Sequence, residues 1–449
     1  MATDDACQDD YFIGYGDLSV HELMLKDRPR TQAYRKFIED NLHLLKDKIV
    51  MDVGAGTGIL SLFAASAGAK KVLAVEASSV ARLCQEIVQE NNLNHIIEVI
   101  HGTVETISLP SDIRQVDVII SEWMGFYLLH ESMLDSVIVA RDRFLAPGGV
   151  MLPSHASLLF APVDMSDHFQ NRADEWSNIY GFDFSPVASQ INMEEVTKPL
   201  ITSLNPNVLC ADPQEIINLN LKTVTAQDIQ TISTVLKFPM RQDSKVFGFA
   251  AWFNVEFNPD CDAASKSHVT LTHESADSRD VHDAGDGCLL KDPYVSLHSV
   301  EKSSQEAPAT ISSVLLKTGP HDLPTHWKQT VVFLPRTILV QGGVDLCCRV
   351  RMSQSSSNKR HYNITVTLVD ESDDDDGETS DASDDSTDHP VPCACGSDRC
   401  RLISALVDKY ADEHDELVDE VVEGSGQVGT TSEMEEDLET DGQQEGPSS

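Results

Sequence analysis

Two glutamates, Glu122 and Glu131, lie nine residues apart in SEWMGFYLLHESML, separated by a glycine and a run of aromatic and apolar residues. Carboxylates are rarely left among such neighbours without partners. Two of them at one site repel each other unless a cation sits between them. A planar guanidinium, with five donors, can meet both at once. The plainer alternative is one solvated glutamate and one helix N-terminal charge at Glu131. A second constellation lies upstream. MDVGAGTG places Gly54, Gly56 and Gly58 between an apolar strand and a helix of small residues, so a ligand can approach the backbone closely. Glu76 ends the next strand, 22 residues after Gly54, where a carboxylate can accept both hydroxyls of a ribose. The alternative is an ordinary tight turn. Ile59 stands where a dinucleotide fingerprint wants Gly or Ala, which moves the balance from NAD toward S-adenosylmethionine.

Both constellations need an α/β framework to position them. KIVMDVGAGTGILSLFAASAGAKKVLAVEAS reads as a βαβ unit: an apolar strand over 49–53, the glycine turn, a helix closed by Gly68, and a second strand ending at Glu76. Nearly continuous apolar strands suit a sheet buried on both faces. A helix near 79–91, strands over 97–100 and 116–121, and a helix over 131–145 ending at Pro147-Gly148-Gly149 extend it. The strand VDVIIS delivers Glu122 to the carboxyl edge, where open α/β sheets place their ligands. Upstream, residues 17–46 show helical spacing, parted into two helices by Pro29. After Leu152-Pro153, segments such as ASLLFAPV, VFGFAAWFNVEF, QTVVFLP, VDLCCRVRM and HYNITVTLV read as strands of a second, mostly antiparallel domain. Helix-like and irregular sequence interrupts it over 165–195.

Charge is unevenly placed. The 449 residues carry a net charge of −40, and residues 370–449 hold 27 Asp and Glu against three Lys and Arg. Runs such as DESDDDDGETSDASDDSTD cannot bury enough apolar surface to fold, so an acidic, mostly disordered tail is expected there. The polar stretch 258–311 is expected to be a disordered insertion between two strands. No basic stripe appears, so no direct nucleic-acid partner is expected, whereas a basic protein is easily accommodated. No apolar run reaches the roughly 20 residues that span a bilayer, and the acidic N-terminus is no signal peptide. Ten cysteines without a framework pattern fit reduced thiols in the cytosol or nucleus. In HPVPCACGSDRC, His389, Cys393, Cys395 and Cys400 could in principle ligate zinc, but the spacings are not those of a usual knuckle, and no metal is assigned. RLISALVDKYADEHDELVDEVV after it can form an amphipathic helix.

The order of YFIGY (11–15), VHELMLKDRPRT (20–31), DVGAGTGILS (52–61), SEWMGFYLLHESML (121–134) and THWKQT (325–330) resembles the protein arginine N-methyltransferases. The resemblance covers residues 10–257 and 312–369 and leans toward the type I branch, with members like arginine methyltransferases two and six. It implies a helical cofactor lid over 1–46 and a Rossmann-like methyltransferase domain over 47–153. A β-barrel substrate domain would follow over 154–257 and 312–369, with a dimerisation arm near 165–195. The implied cofactor is S-adenosyl-L-methionine. Implied substrates are arginines of basic proteins, histones or Arg-Gly-rich proteins, with monomethyl- and asymmetric dimethylarginine as products. A homodimer, a role in chromatin and transcription regulation, and a location in nucleus and cytoplasm are implied as well.

Position by position, the resemblance puts Glu122 and Glu131 on the substrate arginine. Gly54 would lie at the methionine end of the cofactor, Gly56 would also bind the cofactor, and Glu76 would lie at its ribose and Glu105 near its adenine. His21 and Arg30 would reach the cofactor, Arg30 at its carboxylate. Tyr11 and Tyr15 belong to a segment that folds over it, and His326 and Trp327 complete the pocket. Met24 and Met133 would shape the methyl-accepting space. Taken alone, His21 reads as a surface or helix-packing residue, Arg30 as a surface cation, and Trp327, Met24 and Met133 as core. Phe126 stands where family members commonly carry Tyr. His326 and Asp27 are alternative proton acceptors. Two rival readings are a small-molecule methyltransferase and a catalytically silent scaffold binding basic proteins through its tail.

Overall fold

The structure, a computed structural model, describes residues 11–259, 311–356 and 358–369. The acidic tail, its cysteine cluster and amphipathic segment, and all but the ends of the 258–311 insertion lie outside these residues. After a short helical stretch over 11–14, two helices follow, Leu18–Lys26 and Arg28–Asp40. They part at Asp27, whose side chain accepts from Arg30 N at 3.0 Å and so caps the second helix. Pro29 sits in the first turn of that helix, where a missing N–H costs nothing.

Five strands then form a sheet: β1 (Ile49–Val53), β2 (Lys71–Glu76), β3 (Ile97–His101), β4 (Val116–Ser121) and β5 (Leu145–Leu152). Their order is β3-β2-β1-β4-β5, and every pair is parallel. Helices Ile59–Ser66, Ala81–Glu90 and Met133–Phe144 alternate with the strands. Val50, Met51, Val72 and Leu73 are fully buried, as the continuous apolar strands require. The order in which strands are added switches sides between β1 and β4, which run parallel and end at one sheet edge, so the glycine turn and Glu122 emerge side by side. The helix expected over 131–145 begins at Met133, and Pro147–Gly149, expected to terminate it, lie inside β5. The pairing explains this: Leu145 faces Val116 and Val150 faces Val118, so the residues between are accommodated as an irregularity, with Gly148 at φ 76°.

Pairing becomes antiparallel from β6 (His155–Val163) onward. β7 (Leu200–Thr202), β8 (Gln214–Asn220), β10 (Ser244–Phe257), β11 (Val314–Lys317) and β12 (Gln329–Val340) join β6 in a six-stranded sheet, and β9 (Thr231–Pro239), β13 (Asp345–Gln354) and β14 (Tyr362–Leu368) form a three-stranded one. Together they make the β-barrel domain. β7, β8, β9 and β11 fall outside the segments expected as strands; QEIINLN and TISTVLKFP are half-solvated and rich in polar residues. The segment 165–195 resolves into helices Ser166–Trp176 and Ser185–Glu195. Burial alone would raise the Glu195 carboxyl, but hydrogen bonds from His168 and Arg172 pull it down to about 2 and pin the two helices together.

The second N-terminal helix couples the two halves. Tyr34 and Phe37 pack on Phe257 at the end of β10, with ring centroids 4.7 and 5.6 Å apart. Asn41 holds Ser312 through both its amide oxygen and its amide nitrogen. Among the described residues no helix is long and apolar enough to cross a membrane.

Candidate active site

Gly54, Gly56 and Gly58 follow β1 with φ of 73°, 55° and 90°, the left-handed region that favours glycine. A Cβ on Gly54 would fall 2.2 Å from Met133 Cε, and one on Gly56 would fall 3.2 Å from His21 Cε1. The turn is therefore roofed by His21 and Met133, two side chains that only the family resemblance placed near the site. Glu76, buried at the end of β2, accepts from Gly56 N at 2.8 Å and from Ser78 N at 2.7 Å. Each of its oxygens keeps further accepting capacity for a ligand hydroxyl. His21 is also buried, and its Nε2 lies 2.8 Å from Tyr15 O.

Sequence reasoning passed over Asp52, the acid inside DVGAGTG. Its Oδ2 accepts from Ser61 at 2.7 Å, while its Oδ1 is buried with no hydrogen-bond partner among the described residues. Burial, with Glu76 adding to it against the Ser61 bond, pushes this carboxyl up to about 7. A spare accepting atom at the strand end beside a glycine turn suits a ligand that brings a donor or a positive charge.

Glu122 leaves β4 into the same region. Arg30 binds it through Nε at 2.9 Å and Nη2 at 2.7 Å, both on Oε2, and its Nη1 donates to Met24 O at 3.0 Å. Arg30, expected at a cofactor carboxylate or read alone as a surface cation, is buried here against a glutamate. Both side chains are over nine-tenths buried, at 7% and 8% exposure. Glu122 Oε1 is buried and has no partner among the described residues. One oxygen is thus neutralised from within the chain, and the accepting capacity of the other is unused by the described residues.

Glu131 sits on a loop of unusual backbone. Tyr127, Leu128, Glu131 and Ser132 all have positive φ, at 43°, 69°, 76° and 51°. For residues with a Cβ this costs roughly 1–2 kcal/mol each. Glu131, which the plainer alternative read as a helix N-terminal charge, is therefore a strained loop residue two positions ahead of the helix. Tyr15 donates from its hydroxyl to Glu131 Oε2 at 2.6 Å, and the Tyr11 and Tyr15 rings lie 4.9 Å apart. Phe126 is half-buried against His130, with ring centroids 5.9 Å apart.

The barrel domain adds the loop before β12. His326 donates its backbone N–H to Asp27 Oδ2 at 2.8 Å, and its Nδ1 lies 2.6 Å from the same oxygen. Burial alone would raise the Asp27 carboxyl; the His326 contacts outweigh it and hold it below the usual range. Trp327 is buried, donates to Met124 O at 2.9 Å and packs edge-on against Phe253. Met24 is half-buried. Glu105 stands apart from these contacts, exposed and bound by Ser136 Oγ at 2.7 Å. No cluster of three or more His, Cys, Asp or Glu suited to a metal occurs among the described residues.

The family model for the arginine methyltransferase oligomerization subdomain matches residues 154–278 and 303–372. That for ribosomal protein L11 methyltransferase matches residues 29–151. A probable protein arginine N-methyltransferase 6 of Arabidopsis thaliana is 38% identical over 79% of this chain and 77% of its own length. Protein arginine N-methyltransferase 1 of Schizosaccharomyces pombe is 34% identical over 81% of this chain and 90% of its own. Among solved structures, the Trypanosoma brucei PRMT1 enzyme–prozyme heterotetrameric complex with AdoHcy superposes with a TM-score of 0.61 at 30% identity, covering 79% of this chain and 94% of that one. At these identities and coverages, over both the parallel-sheet half and the barrel half, the chain belongs to the protein arginine N-methyltransferase family.

Proposed function

We propose that this enzyme transfers methyl groups from S-adenosyl-L-methionine to guanidino nitrogens of arginine in basic proteins, histones or Arg-Gly-rich proteins, giving monomethyl- and asymmetric dimethylarginine. The observation that carries it is the buried Glu122: one oxygen bound by Arg30, the other without a partner. An apolar or anionic substrate would leave that atom unsatisfied, whereas an arginine brings the donor it lacks.

The turn at Gly54–Gly58, the spare capacity on Glu76 and the Oδ1 of Asp52, without a partner among the described residues, fit a positively charged adenosine cofactor. When bound, S-adenosyl-L-methionine supplies an electrophilic methyl group. Arginine is protonated near neutral pH, so its nitrogen needs help to attack. Glu122 and Glu131 orient the guanidinium and draw its positive charge toward the far nitrogens, leaving the near one more nucleophilic. Fixed carboxylates also stabilise the charge that builds on the guanidinium during transfer. Tyr15 holds Glu131 by its Oε2, which limits the carboxylate's rotation. Asp27 and His326 form a pair at the domain junction that can take up the proton released late. Met24 and Met133 narrow the accepting space in a way that fits two methyls on one nitrogen. His21, Arg30 and Tyr11 border the cofactor side, Glu105 serves the adenine end, and Trp327 closes the pocket.

The two-helix arm exposes Tyr180 at 98%, Phe182 at 70% and Met193 at 66%, and we place a homodimer contact there. The free thiols among the described residues suit a reducing compartment, nucleus and cytoplasm. Incubation with labelled S-adenosylmethionine and an Arg-Gly-rich peptide tests the reading. Label on arginine, with fragmentation showing asymmetric dimethylarginine, is expected. Absence of transfer overturns the activity, and symmetric dimethylarginine alone overturns the product.

A further inference from the structure

The strained loop of Glu131 needs support from outside its own sequence, because four left-handed non-glycine residues persist only where surroundings over-determine them. That support comes from the turn between β13 and β14, more than two hundred residues away. Glu131 donates its N–H to Arg360 O at 2.8 Å, and Arg360 Nη1 donates to Glu131 O at 2.9 Å. Ser132 Oγ donates to Lys359 O, and Gln354 Nε2 donates to Ser132 Oγ at 3.1 Å. Arg360 thus brackets the peptide units on both sides of Glu131.

Its guanidinium has a second contact. The carbon lies 3.5 Å from the centre of the Tyr11 ring and 5.5 Å from that of Phe12. Tyr11 packs on Tyr15, and Tyr15 donates to the Glu131 carboxylate. The contacts close a circuit: Arg360 to the Glu131 backbone, Arg360 to Tyr11, Tyr11 to Tyr15, and Tyr15 to the Glu131 side chain. A planar guanidinium can stack by its face while donating in its plane; an ammonium is a point charge and cannot do both equally well.

We propose that Arg360 is a positioning residue for methyl transfer. It locks the Glu131 loop in its strained form and couples that form to the aromatic segment 11–15, so the barrel domain controls the geometry of one carboxylate of the clamp. This rests on the arginine-methylation reading above.

The test uses Arg360→Ala and Arg360→Lys, each made also in a Glu131→Gln background, in the full chain. Single-turnover methylation of an Arg-Gly-rich peptide is measured at saturating peptide and cofactor. Arg360→Ala is expected to slow transfer about 10–100-fold, and Arg360→Lys to recover part of the loss. In the Glu131→Gln background the same change should have less than about a threefold effect, because the residue it acts through is already altered. Equal slowing in both backgrounds would overturn the proposal, as would full activity of Arg360→Ala. Amide exchange supplies a readout that does not need turnover. Residues 11–15 and 126–132 should exchange together about tenfold faster in Arg360→Ala, with the strands of the parallel sheet unchanged. If wild type transfers nothing, the substrate reading fails while this exchange still decides the coupling; unchanged exchange in both segments refutes it. If Arg360→Ala does not fold, Arg360→Lys carries both measurements, with smaller changes of the same pattern expected and none refuting the assignment.

Discussion

Replacing Arg30 by Met should destabilise the protein in a strongly pH-dependent way. The guanidinium and the Glu122 carboxylate are over nine-tenths buried and share two hydrogen bonds, and Glu122 Oε1 has no other partner among the described residues. Methionine fills much of the arginine's volume but leaves Glu122 as an uncompensated buried charge. Breaking a buried pair from one side costs about 3–5 kcal/mol. The carboxyl can escape part of this by taking up a proton. For an ordinary glutamate, holding that proton costs about 1.4 kcal/mol for each pH unit above about 4.3, hence about 3.7 kcal/mol at pH 7 and about 1 kcal/mol at pH 5. The sign follows from linkage: the folded variant keeps a proton that the unfolded chain releases, so its stability falls as pH rises. Urea unfolding followed by circular dichroism at pH 5 and pH 7 measures the difference. The loss relative to wild type should be about 3–4 kcal/mol at pH 7 and about 2–3 kcal/mol smaller at pH 5. The double variant Arg30→Met/Glu122→Gln, which removes both charges, should recover most of it. Equal losses at both pH values, with no recovery in the double variant, would refute the idea that a buried charge pair holds this site.

Glu131→Gln should keep cofactor affinity while lowering turnover by about 10²-fold or more, measured by calorimetry beside a rate assay; near-normal turnover would sink the clamp. Asp52, pushed up to about 7 by burial, makes wild-type stability fall as pH rises from about 4 to about 7, by an amount on the order of 4 kcal/mol, and level off above. Asp52→Asn should remove that slope in a series of unfolding curves; an unchanged slope would mean other groups cause it. Asp27 is held low by His326 and acts in the opposite sense, its contribution being lost as pH falls below about 4. Truncation after Val369 removes 27 acidic residues. It should leave turnover on a short neutral peptide unchanged but alter kcat/KM for a long basic substrate and flatten its salt dependence; superimposable salt profiles would exclude a role in capture.

What the sequence carried plainly was local. A glycine triplet between a strand and a helix, an acid at the next strand end and a glutamate leaving a later strand each follow from the periodicity and turn chemistry of their own short segment, and the sheet brings them to one edge. Long-range partners carried no such signal. Arg30 meets Glu122 across 92 residues, and Asp27 meets His326 across 299. Nothing in RPRTQ distinguishes a buried arginine from a solvated one. The motif resemblance grouped Arg30 and His326 with the site, but it named neither Glu122 nor Asp27 as their partners within the chain. Arg360 was missed because NKRHY between two strands has the composition of an ordinary solvated turn. Only the positive φ of Glu131 and Ser132 reveals why that turn must be occupied: a loop that its own residues disfavour needs anchoring elsewhere. The same reasoning explains why the site spans both halves of the molecule. The parallel sheet can deliver Glu122 and Glu76 by itself, since strands end where they must. Glu131 lies beyond a strand end, on backbone that the sheet does not control, and its place is set by the Arg360 turn on one side and Tyr15 on the other.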